Sequence, residues 1–387
     1  MSIKFKILLF CFIINFIPNL YANSKKIHRI NKLLKTIKLP KGFHISLYAL
    51  AKGARSMDLA SNGTLYIGTG GFSNPESVVY KINDYNHDNY AESVKVIARN
   101  LDNPNGIAYH KNSLFVAERF RIIRFDKVDK ARRVLNKYKV IYSNFPHEYS
   151  HSWKVLRIGP DGKLYVPVGA PCNICNTDAK KSTRGKFSRI FRMNLDGSNK
   201  IVVARGVRNT VGFDWHPQSK KLWFTDNGRD NLGDNIPPDE LNKVSYLNQH
   251  FGYPFCHGKS ISDPIYGRKI KCNSSSFTKP HQELGPHVAS LGMRFYTGKS
   301  FPRKYKNQIF IAEHGSWNRS KKIGYRISLV RINHRKQAIS YTSFARGWLR
   351  KNGTRWGRPV DVEIMADGSM LISDDFMGAI YRIYYRN

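Results

Sequence analysis

The chain has 387 residues, 41% hydrophobic and 13% aromatic, enough for a large core, which excludes disorder as a global description. No run of 18 apolar residues occurs, which excludes a polytopic bundle of membrane helices. A formal charge of +37 speaks of anionic partners or surfaces and says nothing about fold.

Lys4 and Lys6 precede an apolar run from Ile7 to Ile17, followed by Pro18 and the small Ala22. Residues 1–22 therefore read as a secretory signal, with the mature chain periplasmic or secreted. Residues 23–38 form a basic lead-in segment. Ile27, Ile30, Leu33, Leu34 and Ile37 keep helical spacing opposite a basic face, which predicts a short amphipathic helix suited also to peripheral contact with an anionic envelope surface. Residues 39–387 repeat one phrase, a small polar turn followed by a short β-rich run. It appears at Asn62-Gly63 before Leu65-Tyr66-Ile67, at Asn112-Ser113 before Leu114-Phe115-Val116, and at Asp161-Gly162 before Leu164-Tyr165-Val166. It returns before Leu222-Trp223-Phe224, Ile309-Phe310-Ile311 and Met370-Leu371-Ile372. Each copy follows another strand-like run, the hairpin signal. Copies begin about 50 to 90 residues apart, which fits propeller blades. Six copies with almost no helix predict an all-β fold, a six-bladed β-propeller.

Beyond Cys11 in the apolar run, four cysteines remain: Cys172, Cys175, Cys256 and Cys272. An even count in an exported chain points to disulfides. Three pairings are open; the expected one joins Cys172 to Cys175 and Cys256 to Cys272. The basic residues lie in scattered clusters, such as Lys130 to Arg133 and Arg303 to Lys306, without a nucleic-acid motif, so no nucleic-acid partner is expected. Asp226, Asp230, Asp234, Asp239 and Glu240 crowd five acids into 15 residues of an otherwise basic chain, which points to a divalent cation.

Several runs carry a resemblance. Arg208-Asn209-Thr210-Val211-Gly212-Phe213-Asp214-Trp215-His216-Pro217 leads to Thr225-Asp226-Asn227-Gly228-Arg229-Asp230, then Pro237-Pro238-Asp239-Glu240-Leu241-Asn242. With Gly169 to Cys175, His314 to Arg319 and Gly357 to Val362, the chain resembles the glucose/sorbosone dehydrogenases, soluble sugar dehydrogenases that use pyrroloquinoline quinone (PQQ), and most of all their L-sorbosone dehydrogenase-like branch. The resemblance implies a six-bladed propeller that oxidises a sugar by hydride transfer to calcium-bound PQQ. It implies His151 as catalytic base, from its offset to the turn Gly159-Pro160-Asp161. It implies Arg208, Asn209, Asn227 and Arg358 at the cofactor, and backbone oxygens of Gly228 and Arg229 at its calcium. Asp239 and Glu240 match a second, structural calcium. Val360 stands where the family has a second arginine, and His314-Gly315-Ser316 where glucose oxidisers have a lysine, so glucose itself is not the expected substrate. His287 and His314 are candidates to line the cleft. The expected partners are a small sugar or sugar aldehyde and a separate electron acceptor. The competing reading is a non-catalytic propeller that binds carbohydrate or a protein.

Overall fold

The computed structural model describes residues 23–70, 77–177, 179 and 185–386. Residues 1–22, read above as a secretory signal, and Asn387 lie outside these residues. Among them, six sheets follow one another in chain order. The first runs Ala54–Leu59, Leu65–Thr69, Val79–Asn83, Ser93–Ala98, and the second Gly106–His110, Ser113–Ala117, Ile122–Asp126, Lys139–Tyr142. The third runs Arg157–Ile158, Leu164–Val168, Arg189–Met193, Ile201–Arg205, with Gln249–His250 added in parallel at its edge. The fourth runs Gly212–Trp215, Leu222–Asp226, Pro238–Lys243, Gln282–Pro286 and the fifth Ser290–Phe295, Ile309–Glu313, Arg326–Ile332, Ala338–Arg346. The sixth takes Pro359–Ile364, Met370–Asp374 and Ala379–Tyr385 from the C-terminal end and is completed by Phe43–Leu50. Apart from Gln249–His250, the strands of these sheets pair antiparallel, and the whole is a six-bladed β-propeller. The six repeated runs are the second strands of the six blades.

Their sequence follows from their place. Leu65–Thr69, Leu164–Val168, Leu222–Asp226, Ile309–Glu313 and Met370–Asp374 are buried at every residue. A strand covered on both faces by neighbouring blades loses polar alternation and reads as a continuous apolar run. The turn before it needs left-handed backbone. Gly63, Gly162 and Gly368 supply it, and Asn112, Lys220 and Asn307 adopt it in the other blades, at φ of 63°, 55° and 59°.

The lead-in segment is helical over 23–34. Ile30 and Leu34 are buried in a cluster with Phe43, Phe301, Tyr305 and Trp348, and Ile27, Leu33 and Ile37 pack against it. The apolar face predicted for this helix is thus covered by the fifth and sixth blades, and only its basic face, with Arg29, Lys32 and Lys35, meets solvent.

Inner strands tie neighbouring blades together through acids. Asp58 Oδ2 accepts from the Tyr109 amide at 2.6 Å, Asp214 Oδ2 from Phe295 at 2.9 Å and Asp361 Oδ2 from Met57 at 3.0 Å. Arg294 bonds Glu363 at 3.0 Å beside them. Each acid satisfies an amide on the adjacent blade that the sheet ladder does not use.

Candidate functional site

In every blade the inner strand begins, and the second strand ends, at the same end of the propeller, while the repeated turns lie at the other. The predicted residues fall at that first end. Arg208 and Arg358 precede inner strands; Asn227, Gly228 and His314 follow second strands.

His151 stands on left-handed backbone at φ 48°, an arrangement typical of functional strain. Its Nδ1 lies 2.8 Å from the Ala170 carbonyl. A carbonyl only accepts, so Nδ1 carries the proton and Nε2 keeps a lone pair, with no partner among the described residues. Burial and the neighbouring Arg208 charge push the imidazole down to about 3, so it is neutral at working pH. His147, the other histidine nearby, stacks on Phe120 at 4.5 Å.

Arg208 is buried, and its guanidinium is held on four sides. Nε donates to the Asn173 carbonyl and Nη2 to Asn173 Oδ1, each at 2.9 Å. Nη1 donates to the Asn227 carbonyl at 3.3 Å, and Nη2 pairs with Asp230 at 2.9 Å. Asp226 accepts the Arg208 and Asn209 amides at 2.8 and 2.7 Å. Asn227 donates to the Asn209 and Ser290 carbonyls at 3.3 and 2.8 Å. Gly228 donates its amide to Asp239 Oδ1 at 3.0 Å. His151, Arg208, Asn209, Asn227 and Gly228 are therefore one connected group.

Arg358 closes the far side. Its Nε donates to the His314 carbonyl at 3.0 Å and Nη2 to that of Gly315 at 3.2 Å, while Nη1 has no partner among the described residues. His314 Nε2 meets Asp375 Oδ1 at 2.8 Å, and Asp375 Oδ2 pairs with Arg55. Burial drives His314 down to about 4. Burial opposes ionisation of Asp375 too, but His314 and Arg55 hold it below the usual carboxylate range. Arg55 Nε also donates to Asn105 at 2.7 Å, and its guanidinium lies 4.6 Å over Trp153, two residues beyond His151. Arg55 and Asp375 belong to this mouth although no motif surrounds them. Val360 packs with Val211 and Leu291.

Within the acid-rich run Asp226 and Glu240 pair across neighbouring strands and line one small cavity with Arg208, Asn227, Gly228 and Arg229, whereas Asp230, Asp234 and Asp239 are engaged elsewhere. Asp239 and Glu240 are consecutive in a strand, and their side chains leave opposite faces. Asp239 accepts from Gly228 and Ser290; Glu240 accepts from Gly258 at 2.7 Å and Asn242 at 3.0 Å. The structure does not bring these two carboxylates onto a shared ion. Asp230 pairs with Arg208, and Asp234 accepts from Ser320. Burial pushes Asp226 to about 7 and Asp239 to about 6; burial and Asp226 push Glu240 to about 8. The Arg229 side chain turns inward and pairs with buried Asp263 at 2.6 Å. The Gly228 and Arg229 carbonyls accept no hydrogen bond among the described residues. His287 Nε2 donates to the Gly233 carbonyl at 2.9 Å, and the His314 amide donates to the Ala289 carbonyl two residues beyond His287 at 2.9 Å. The cysteines pair as expected, Cys172 with Cys175 and Cys256 with Cys272. Tyr149, Trp317 and Phe376 stand exposed on the loops that carry His151, His314 and Asp375.

Similar proteins share this architecture. A calcium structure of Trichoderma reesei Carbohydrate-Active Enzymes Family AA12 superposes with TM-score 0.77 at 17% identity, over 91% of this chain and 97% of that one. The PQQ domain of pyranose dehydrogenase from Coprinopsis cinerea, in its holo form, gives 0.72 at 18% identity, over 90% and 97%. The PQQ-bound aldose sugar dehydrogenase from Streptomyces coelicolor gives 0.63 at 15% identity, over 90% and 100%. In sequence, an uncharacterized protein of Borreliella burgdorferi is 34% identical over 367 residues, 92% of each chain. The TrAA12-like family model matches residues 37–386, and the chain belongs to that family.

Proposed function

We propose that this protein is a PQQ-dependent sugar dehydrogenase, exported to the periplasm or beyond, that oxidises an aldose or sorbosone-like sugar aldehyde and delivers electrons to a separate acceptor. The observation that carries this is the His151 imidazole, held in one tautomer with Nε2 open, beside Arg208 at the mouth. The residues present fit the cofactor. Arg358 keeps Nη1 for a carboxylate, Arg55 adds a second cation, and the unengaged Gly228 and Arg229 carbonyls are hard oxygen donors suited to calcium. When bound, calcium and quinone supply a polarised hydride acceptor.

The rest of the chemistry falls to the chain. His151 Nε2 takes the hydroxyl proton of the sugar, and the Ala170 carbonyl keeps the ring oriented as charge develops on it. Tyr149, Trp317 and Phe376 offer rings on which a sugar face stacks. Two disulfides suit the oxidising compartment that the basic, then apolar residues 1–22 imply. Reconstitution of purified protein with calcium and PQQ, followed by a panel of aldoses and sugar aldehydes with an artificial electron acceptor, tests the proposal. Saturable quinone binding with turnover of at least one sugar supports it. Binding of sugar without quinone favours the non-catalytic propeller.

A further inference from the structure

The loop that closes on Arg208 is held in an unusual way. No backbone–backbone hydrogen bond engages residues 171–175 among the described residues. Their shape rests on the Cys172–Cys175 bond, on the Tyr253 hydroxyl and on Asn173. The Cys175 amide donates to Tyr253 Oη at 3.0 Å, and both sulfurs lie 3.9 Å from that oxygen. Tyr253 is buried, and its amide donates to the Gly206 carbonyl at 3.0 Å, two residues before Arg208. Burial raises the phenol to about 12, so it stays protonated against the sulfurs.

Asn173 lies between the two cysteines and uses every polar group it has in this direction. Its carbonyl and Oδ1 both accept from Arg208, Oδ1 also accepts the Asp230 amide at 2.8 Å, and Nδ2 donates to the Asp230 carbonyl at 3.1 Å. Two of the four guanidinium hydrogens engaged on Arg208 end on this one residue. The Cys172–Cys175 pair is half-buried, whereas Cys256 and Cys272 are each 6% exposed. A soluble thiol reaches the first pair sooner.

We infer that the Cys172–Cys175 disulfide is a thiol-sensitive latch, acting through Asn173 as a positioning residue that presets Arg208 for the bound anion. The inference rests on the cofactor reading for the identity of that anion only. A dithiol opens the latch: its two thiols transfer two electrons and two protons, the protein S–S bond breaks into two thiols, and the reagent closes into its own disulfide. With the loop open, Asn173 keeps only its bonds to Arg208 and Asp230 and the single Cys175 amide bond to Tyr253, with no backbone ladder behind them. Arg208 then orders only upon binding, which weakens affinity.

The test uses the full mature chain. Graded dithiothreitol opens Cys172–Cys175, and mass mapping identifies the fraction in which Cys256–Cys272 is still closed. Amide exchange is followed for residues 206–210 and 227–231, and PQQ binding by calorimetry. Opening is expected to speed exchange in both segments and to raise Kd about tenfold, as for one lost charge-assisted hydrogen bond. The double variant Cys172→Ser/Cys175→Ser should match the reduced protein without any thiol. Oxidised Asn173→Ala should show the raised Kd, and dithiothreitol should then add nothing, since both act on one link. Unchanged exchange after selective opening overturns the inference, as does a thiol effect that persists in Asn173→Ala. Faster exchange in a protein that binds no quinone supports the latch and removes the cofactor reading.

Discussion

His151 Nδ1 is committed to the Ala170 carbonyl, so the ring has one nitrogen left for chemistry. His151→Gln keeps bulk and a hydrogen bond but removes the acceptor. Turnover is expected to fall about 10²- to 10⁴-fold at saturating PQQ, with melting temperature and quinone affinity retained. Wild-type turnover in this variant would remove His151 from the mechanism. Arg358→Ala divides the other way: Nη1 is lost and quinone binding weakens first, with turnover largely recovered at high cofactor. Trp317 is 70% exposed and packs little, so Trp317→Ala is expected to raise KM for sugar about tenfold and leave stability and kcat unmoved, as for a lost stacking ring. Steady-state kinetics over sugar concentration distinguishes these outcomes. At this scale His151, Arg208, Asn227 and Arg358 could be singled out in the sequence because each sits in a short run that carries the resemblance, and the structure gathers them at one end of the propeller. Arg55 could not: its neighbours Ala54 and Ser56 form no motif, and only the meeting of blades one and six places it on Asp375.

Among the elements, the hairpin of Cys256–His257 and Ile261–Ser262 is the smallest sheet, and the Cys256–Cys272 bond ties it to the turn at Cys272 later in the same insertion of the fourth blade. Replacing both cysteines with serine is expected to cost about 3 kcal/mol by the chain-entropy estimate for a loop of this size, measured by denaturant unfolding. The acid ties between blades are a second element-scale device. Asp361→Ala leaves the buried Met57 amide without an acceptor and is expected to destabilise by about 1–3 kcal/mol, while Asp361→Asn keeps an oxygen there and costs less. Equal losses in the two variants would show that the tie is not a hydrogen bond. The acid-rich run shows what strand geometry adds to a sequence pattern. Alternation sends Asp239 and Glu240 to opposite faces, each with its own amides, while pairing of neighbouring strands sets Asp226 beside Glu240.

For the whole molecule, closure depends on a strand from near the start of the chain. Phe43–Leu50 pairs with Ala379–Tyr385, from Phe43 opposite Tyr385 to Leu50 opposite Ala379. A chain ended at Gly378 removes the strand that joins Phe43–Leu50 to Met370–Asp374, and is expected to show no cooperative thermal transition by calorimetry. The central acids also set a pH dependence. Burial raises Asp58 and Asp361 to about 7 and Asp214 to about 6. The folded state therefore holds protons that the unfolded chain has released, so this stability is full at low pH and lost as pH rises through 6 to 7. His151 and His314 are lowered and oppose this only below about 6.5, where unfolded histidine takes up protons. The melting temperature is expected to fall between pH 6.5 and 8.5; a rise over that interval would contradict the assignment.

By itself the sequence determined the blade count, the strand that lies second in each blade, and the short runs that carry His151 and Arg208; it left three cysteine pairings open, of which the structure has the expected one. These are local properties: a turn residue and an apolar run declare themselves within ten residues, because backbone sterics and burial act on neighbours first. Only the tertiary structure decided which side chains share the mouth. Arg55 and Asp375 are 320 residues apart and touch because the first and sixth blades are adjacent in a closed ring. Tyr253 reaches the Cys172–Cys175 loop from 78 residues away because the insertion after the fourth blade's third strand folds back beneath Arg208. Nothing in the spacing of residues encodes such a contact, since ring closure, and not chain distance, brings it about.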